Sequence, residues 1–132
     1  MTRINVVPVS ELCDQHLLAE HRELTRIPNA VAKGKYNLDG QPDDYKLGTG
    51  HVKFFMNKLT FLHKRYQALH QECLARGFNV SNRWAQDLPS TPELWLDYVP
   101  TDNALWLNRA RIAERMPVKA RFTPHKMPER VE

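Results

Sequence analysis

The second residue of the chain, Thr2, offers a backbone nitrogen that could act as a nucleophile. Because the Thr2 side chain is small, we expect the initiator Met1 to be removed and the α-amine of Thr2 to be exposed. An α-amine has a reference pKa of about 7.7–8.0, against about 10.4 for lysine. A useful fraction is therefore neutral near pH 7 and able to attack an electrophilic carbon, as Schiff-base chemistry requires. Taken alone, the position favours a simpler interpretation, in which Thr2 is only the second residue of a protein.

Five residues form the polar side of the first predicted helix, opposite its apolar stripe. They are Gln15, Ala19, Arg22, Glu23 and Arg26. Arg22 and Arg26 are four residues apart, so their like charges repel by a few tenths of a kcal/mol, roughly, on an isolated helix, and Glu23 offsets part of this. Two converging guanidinium groups also suit a phosphate, which arginine binds through paired hydrogen bonds. On this feature alone, a solvated charged face is the favoured alternative.

Other polar residues predict structure more than chemistry. Glu20 falls on the apolar side of the first helix, and we expect a cation beside it because an unpaired buried carboxylate is costly. His63 and His70, seven residues apart, are predicted to pack at the edge of the core rather than to share a metal. Cys13 with His16 is a single weak ligand pair, so we predict no metal site. The sequence has no glycine-rich phosphate loop, metalloprotease motif or nucleophile elbow.

Three helices are predicted to position these residues, in an all-α domain with long ordered loops. The first begins near Ser10 and runs to about Ile27, with a kink or break expected at Pro28. The second follows the apolar positions from Val52 to Cys73, and Gly77 is a plausible C-terminal cap. The third runs from about Thr101 to Met116 and is stopped by proline. Its predicted inward positions are Leu105, Ile112 and Met116.

Length and composition place the chain among ordinary globular proteins. Its 132 residues are 42% hydrophobic and 26% charged, which fits a single domain over residues 1–132 and excludes collagenous, disordered and disulfide-scaffold classes. The sequence contains neither a membrane span nor the apolar core of a secretory signal. Two cysteines suggest free thiols in a reducing compartment. We therefore expect a compact cytoplasmic monomer without membrane contact.

The positive charge is concentrated in two stretches. The net charge is +4, and residues 51–77 carry five basic residues against one acidic one, while residues 101–132 carry seven against four. Residues 117–132 form a basic tail that can stay flexible until it meets a partner. Arg111 and Arg115, four apart on the third helix, are candidates for backbone contact with DNA, although an ordinary solvated face suits them equally. This balance permits nucleic-acid binding without establishing it.

Several runs in the first 80 residues match a known sequence pattern. They are Met1-Thr2-Arg3-Ile4-Asn5, Val9-Ser10-Glu11-Leu12, Asp14-Gln15-His16-Leu17, Glu20-His21-Arg22-Glu23-Leu24-Thr25-Arg26, Gly50-His51-Val52, Phe54-Phe55, Lys58-Leu59, Phe61-Leu62, Lys64-Arg65, Glu72-Cys73-Leu74 and Arg76-Gly77-Phe78-Asn79, with Ala110-Arg111 a weaker match. With these runs the chain resembles the phage-type pyrimidine-dimer DNA glycosylases, also called endonuclease V. The first 26 residues are the most specific, because a terminal Thr-Arg and an Arg-Glu-x-x-Arg turn occur together.

The resemblance implies an enzyme that repairs ultraviolet-damaged duplex DNA without a metal or other cofactor. Such enzymes cleave the glycosidic bond of the 5′ pyrimidine of a cyclobutane dimer, nick the backbone by β-elimination, and kink the DNA while a base opposite the dimer flips out. By this resemblance the catalytic residues would be Thr2, which forms the imine, and Glu23, which stabilises the cationic sugar and moves protons. The expected DNA-binding residues are Arg3, Gln15, Arg22, Arg26, Arg111 and Arg115.

The sequence departs from the family pattern in two places. The tail has only Phe122 as an aromatic residue, and the loop before Gly48 is short. Both leave the preferred lesion open, so an abasic site or another modified pyrimidine remains an alternative substrate. A basic helical DNA-binding module that has lost catalysis is the alternative function. A metal-dependent nuclease is disfavoured because no adequate ligand set is present.

Overall fold

The structure, a computed structural model, describes residues 2–126 and consists of helices joined by long loops. The helices are α1 (Asp14–Glu23), α2 (Arg26–Ala32), α3 (His51–Phe55), α4 (Leu59–Ala75) and α5 (Asp102–Glu114), with short 3-10 turns at Val9–Glu11 and Pro92–Leu94. Within residues 2–126 there is no β-strand, and Lys58 and Trp95 form an isolated antiparallel bridge. The predicted all-α class is confirmed. No helix in this part of the chain has the length and apolar character needed to cross a bilayer.

The first predicted helix is divided, and the division does not fall at the predicted residue. Ser10 lies in a 3-10 turn, and α1 begins only after Cys13. The break comes at Leu24–Thr25, where the Thr25 hydroxyl donates to the Arg22 carbonyl (2.9 Å) and competes with the helical ladder. Pro28 causes no break, because it lies in the first turn of α2, where its missing N–H removes no helical bond.

The second predicted helix is also two helices, because a distant loop inserts at residues 56–58. Gln41 donates to the carbonyls of Lys53 (3.1 Å) and Phe54 (3.0 Å), which caps the end of α3. The Leu96 N–H then pairs with the Asn57 carbonyl at 3.0 Å. These long-range bonds satisfy the groups that the break exposes, so no local sequence signal marks it.

The two other predicted helix ends are confirmed. Gly77 adopts φ +90° after α4, and its N–H bonds the Leu74 carbonyl while that of Phe78 bonds Cys73, which is a Schellman cap. Thr101 caps α5 by accepting the Ala104 N–H at 3.0 Å.

The inward positions of the third predicted helix are only partly confirmed. Ile112 is buried and Leu105 is half-buried, whereas Met116 is exposed. The prediction for Met116 is wrong because α5 ends at Glu114, so the chain leaves the helical spacing before Met116 is reached.

The core lies where α1 packs on α4, with the N-terminal segment, residues 4–7, buried beside them. The predicted stripe of the first helix is buried throughout; its members are Cys13, Leu17, Leu24, Ile27 and Val31. Ile4 and Val7 have no exposed surface. Burying such side chains contributes roughly 1.5–3 kcal/mol each, so the N-terminal segment is fixed in the domain rather than fraying at its edge.

The described part of the basic tail, residues 117–126, runs over the start of α1 and the end of α4. The Asp14 N–H donates to the Arg121 carbonyl at 2.6 Å. The Asp14 carboxylate accepts from the Thr123 N–H (3.0 Å) and hydroxyl, and His125 lies 2.8 Å from Glu72. These contacts order the tail against the domain itself. Residues 127–132 of the predicted tail, like Met1, lie outside the described residues.

Candidate active site

His51 and Tyr45 hold the N-terminal segment by its backbone at Ile4. The Ile4 N–H donates to His51 Nε2 at 2.8 Å, and the Ile4 carbonyl accepts from the Tyr45 hydroxyl at 3.0 Å. Both rings are buried and meet edge to face, with centroids 5.3 Å apart. The backbone two residues after Thr2 is therefore fixed from both sides.

The hydrogen bonds of His51 require its neutral form. Nδ1 lies 2.8 Å from the Lys46 carbonyl, which can only accept, so Nδ1 carries the proton. Nε2 must then be bare to accept the Ile4 N–H. Burial lowers the pKa of His51 from its ordinary value, an effect that the Lys46 carbonyl partly offsets and to which Arg3 adds by its charge. Proton uptake by His51 would break the link to the N-terminal segment.

Asn108 of α5 and Asn5 connect the same segment to α1. The Asn108 side-chain oxygen accepts the Val6 N–H (2.6 Å) and the Val7 N–H (3.1 Å). Its amide donates to the Asn5 oxygen at 2.7 Å, and the Asn5 amide donates to Glu20 at 2.8 Å. Each of these two amide nitrogens has a buried acceptor, so the chain of bonds specifies one position of the segment.

Glu20 is paired with Arg65 of α4, which confirms the cation expected beside it. Arg65 Nε lies 2.7 Å from one Glu20 oxygen and Nη2 lies 2.9 Å from the other. Both side chains are buried, and Arg65 Nη1 also donates to the Val7 carbonyl. A bidentate pair with a further donor bonded to a backbone carbonyl is the geometry that offsets the desolvation of two buried charges.

Two adjoining clefts open over the N-terminal segment and share Arg3. The first, of about 300 Å³, is lined by Arg3, Asn5, His16, Ala19, Glu20, Glu23 and Arg115. The second, of about 180 Å³, is lined by Thr2, Arg3, Leu47, Gly48, His51, Val52 and Arg111. Glu23 is half-buried and has no hydrogen-bond or ion-pair partner within residues 2–126. A carboxylate without a partner therefore lies in one cleft, and Thr2 lies in the next.

Arginine side chains line both clefts. Burial lowers the pKa of Arg3, and the charges of Arg111 and Arg115 lower it further, while Glu23 acts in the opposite sense. Arg26, at the start of α2, donates from Nη1 to the Thr2 hydroxyl at 3.2 Å. Such a surface attracts the phosphates of a nucleic acid.

The structure brings together most of the predicted site residues but not all of them. Those at the two clefts are Thr2, Arg3, Glu23, Arg26, Arg111 and Arg115. Gln15 instead holds the tail, donating to the Lys119 carbonyl (2.8 Å) and accepting the Arg121 N–H (3.1 Å). Arg22 lines a separate cleft beside the loop after α4. The reason is helical geometry, because each residue turns the side-chain direction by about 100° and so separates Arg22 from Glu23.

Sequence reasoning missed His16 and Asn108. His16 lines the cleft of Glu23, seven residues away on the same face of α1, so this spacing could have indicated it. Its Nε2 donates to the Arg115 carbonyl (3.2 Å), and its buried Nδ1 has no partner in the described part of the chain. No local signal distinguishes Asn108 from a solvated helix residue.

The histidines and cysteines form no metal-binding group in residues 2–126. No three His, Cys, Asp or Glu side chains there are close enough to hold an ion. Cys13 and Cys73 are buried free thiols, and burial raises the pKa of Cys73 to about 11. His70 hydrogen-bonds His21 (3.1 Å) at the edge of α4.

Residues 1–86 match the model of the pyrimidine dimer DNA glycosylase family. The chain belongs to this family. The matched region contains Thr2, Glu23 and α1 through α4, and it ends before α5. As a family member the protein is a DNA-repair glycosylase, with DNA as its substrate. The resemblance on which the sequence analysis relied is thereby confirmed.

Proposed function

We propose that this glycosylase excises the 5′ pyrimidine of cyclobutane dimers in duplex DNA through an imine on the Thr2 α-amine, and then nicks the strand as an AP lyase. The observation that carries the proposal is the arrangement of the two clefts. They share Arg3, and one contains Thr2 while the other contains the carboxylate of Glu23. Removal of Met1, which lies outside the described residues, would expose the amine.

The first step replaces the glycosidic bond by a bond to the protein. The neutral amine donates its electron pair to C1′ of the deoxyribose, and the bond from C1′ to the base nitrogen breaks with its electrons leaving on the base. The sugar gains positive charge as the base departs, and the Glu23 carboxylate at the cleft stabilises that charge. The attacking nitrogen then loses a proton, and the C1′–O4′ bond breaks with its electrons on O4′, which takes up a proton to become a hydroxyl. The nitrogen electron pair forms the second bond to C1′, which gives an imine between Thr2 and C1′.

The second step is a β-elimination. The imine makes the C2′ proton acidic, a base removes it, and the 3′ phosphate leaves with the electrons of its C3′–O bond. Glu23 is our candidate for this proton transfer, because it is the carboxylate in the cleft that has no partner in residues 2–126. Water then releases the aldehyde and restores the amine. Both steps therefore use one nucleophile and one carboxylate.

The basic side chains are proposed to bind the DNA backbone. Arg3, Arg111 and Arg115 surround the clefts, and Arg26 reaches Thr2 from α2. Arg22 and Gln15 lie farther around α1, where they would meet the flanking backbone. Gln15 would have to share or give up its bonds to the tail. We propose that the protein acts as a cytoplasmic monomer, with both thiols reduced.

Borohydride trapping tests the chemistry. The protein is incubated with an ultraviolet-irradiated duplex and borohydride, and the covalent product is digested and analysed by mass spectrometry. The expected result is a reduced adduct on the nitrogen of Thr2. Absence of an adduct on both dimer and abasic duplexes, with DNA binding intact, would overturn the proposal in favour of a noncatalytic binding module.

A Glu23→Gln variant tests the carboxylate. It should lose base release by at least about 10²-fold, the usual range for an acid–base group, while duplex binding changes little. Glu93→Gln removes an exposed carboxylate in the Pro92–Leu94 turn and is the matched control. Equal base-release rates in the two variants would remove Glu23 from the mechanism.

A further inference from the structure

A third cleft, of about 360 Å³, opens between α1 and the loop that follows α4 and is not used by the proposed chemistry. Its walls are Leu18, His21 and Arg22 of α1 and Asn79, Val80, Ser81 and Arg83 of the loop that follows α4. It shares no lining residue with either cleft of the candidate active site. Any ligand here would therefore be bound separately from the reacting sugar.

The charge of this cleft is positive and uncompensated. No carboxylate lines it, and neither Arg22 nor Arg83 has an ion-pair partner in the described part of the chain. Burial lowers the pKa of His21, and the charges of His70 and Arg83 lower it further. The Asn79 amide and the Ser81 hydroxyl are further potential donors. Two guanidinium groups with neutral donors beside them suit a phosphate oxygen rather than a cation.

The loop that carries Arg83 is held in place by an aromatic cluster. The buried Tyr66 hydroxyl accepts the Arg83 N–H at 2.8 Å and contacts the Ser81 carbonyl at 3.4 Å. The Trp84 ring lies 4.7 Å from that of His63 and 6.0 Å from that of Tyr66. The backbone is therefore fixed before a ligand arrives, which lowers the entropy lost when the ligand binds.

The position of the cleft fits a second point on one DNA backbone. Arg22 directly precedes Glu23 in α1, so the third cleft and the cleft of Glu23 lie on neighbouring sides of one helix. The diameter of a helix with its side chains is about 10–12 Å. Successive phosphates of one strand advance about 3.4 Å along the duplex axis. Roughly three phosphate steps would therefore span α1.

We propose that this cleft, built by Arg22 and Arg83, binds a backbone phosphodiester of the duplex about three nucleotides from the nucleotide that reacts. The inference rests on the proposed function, since it assumes that the reacting strand lies over the first two clefts. Arg83 adds a contact that lies outside the set predicted from the sequence. Its contribution is to affinity and register along the DNA, not to the chemical step.

The test compares Arg83→Ala with Arg109→Ala, which removes the same charge. Arg109 is committed to Glu11 by bonds of 3.0 and 2.8 Å, so we expect it to contribute no phosphate contact. Affinity for an undamaged duplex is measured between 50 and 200 mM salt. Losing one phosphate contact should reduce the slope of log affinity against log salt by about 0.9 and the low-salt affinity by about tenfold. Arg109→Ala should match the unmodified protein.

A methylphosphonate scan locates the contact. Neutralising one phosphate at a time should identify a position that weakens binding by the unmodified protein but not by Arg83→Ala. If removal of a base weakens binding and no phosphate position has this effect, the assignment is overturned. Equal salt slopes in the two variants would overturn it as well. Borohydride trapping is measured in the same preparations. If the protein is trapped on DNA while the two variants have equal salt slopes, only the phosphate site is overturned and the proposed function stands.

Discussion

Replacing His51 by phenylalanine would cut one of the two links that fix Ile4, and its effect follows from the structure. Phenylalanine can keep the edge contacts of the ring with Tyr45 and Phe55, at 5.3 and 5.6 Å. It cannot accept the Ile4 N–H, which would be left buried without a partner. An unsatisfied buried donor costs about 1–3 kcal/mol, and we expect the free energy of unfolding to fall by that amount.

The same change should slow imine formation. A penalty of about 1–3 kcal/mol favours states in which the N-terminal segment is detached by roughly 5- to 150-fold. In single-turnover borohydride trapping on an abasic duplex, we expect the rate to fall by a factor within that range when attachment of the segment is rate-limiting. His63→Phe is the control, because His63 packs against Trp84 away from the two clefts. Stability within about 0.5 kcal/mol of the parent, together with an unchanged trapping rate, would refute the positioning role.

Acid should act on the same link. The pKa of folded His51 lies below its ordinary value of about 6.5. On acidification the unfolded chain takes up this proton first, so stability falls as the pH drops below about 6.5. His51→Phe removes this proton, so its free energy of unfolding should vary less between pH 7 and pH 5. An undiminished pH dependence, measured by urea unfolding, would assign the effect to other groups.

Two further perturbations separate the chemistry from the scaffold. Adding one alanine before Thr2 displaces the amine by about 3.8 Å and should suppress base release and trapping at least about 10²-fold, with unchanged circular dichroism; trapping at the parent rate would refute a terminal-amine nucleophile. Glu20→Gln leaves Arg65 buried without a counter-charge and should lower the free energy of unfolding by about 3–5 kcal/mol. Glu11→Gln is the control because its pair with Arg109 is exposed, and it should change the free energy of unfolding by at most about 1 kcal/mol. Urea unfolding curves that place both variants within about 1 kcal/mol of the parent would contradict the buried pair.

Local pattern was sufficient for those features of the fold that depend on local physics. The apolar stripes, the Gly77 cap and the Thr101 cap follow from spacing and residue type. So does the need for a cation at Glu20, although its partner Arg65 lies 45 residues away and has no local signal. The break between α3 and α4 could not be predicted, because Gln41 and the 92–96 loop satisfy its backbone groups from a distance.

The candidate site was predictable in its composition but not in its arrangement. Thr2, Arg3 and Glu23 stand in the run that identifies the family, so the sequence alone indicates them. Which arginines share a cleft depends on how the N-terminal segment packs beside α5, which places Arg3 with Arg115 in one cleft and with Arg111 in the other. His51 and Asn108 act through backbone groups of a segment far from them in sequence, and no spacing rule connects them to it.

Asn108, in the second half of the chain, helps to hold the N-terminal segment in the first half. The family match ends at residue 86, yet the amides of Val6 and Val7 are held from α5. A fragment that retained every matched residue would therefore lack two of the bonds that keep its own beginning in place. The C-terminal part therefore helps to hold the segment that begins with the proposed nucleophile, Thr2. The boundary of the family match does not mark a unit that keeps all of these bonds.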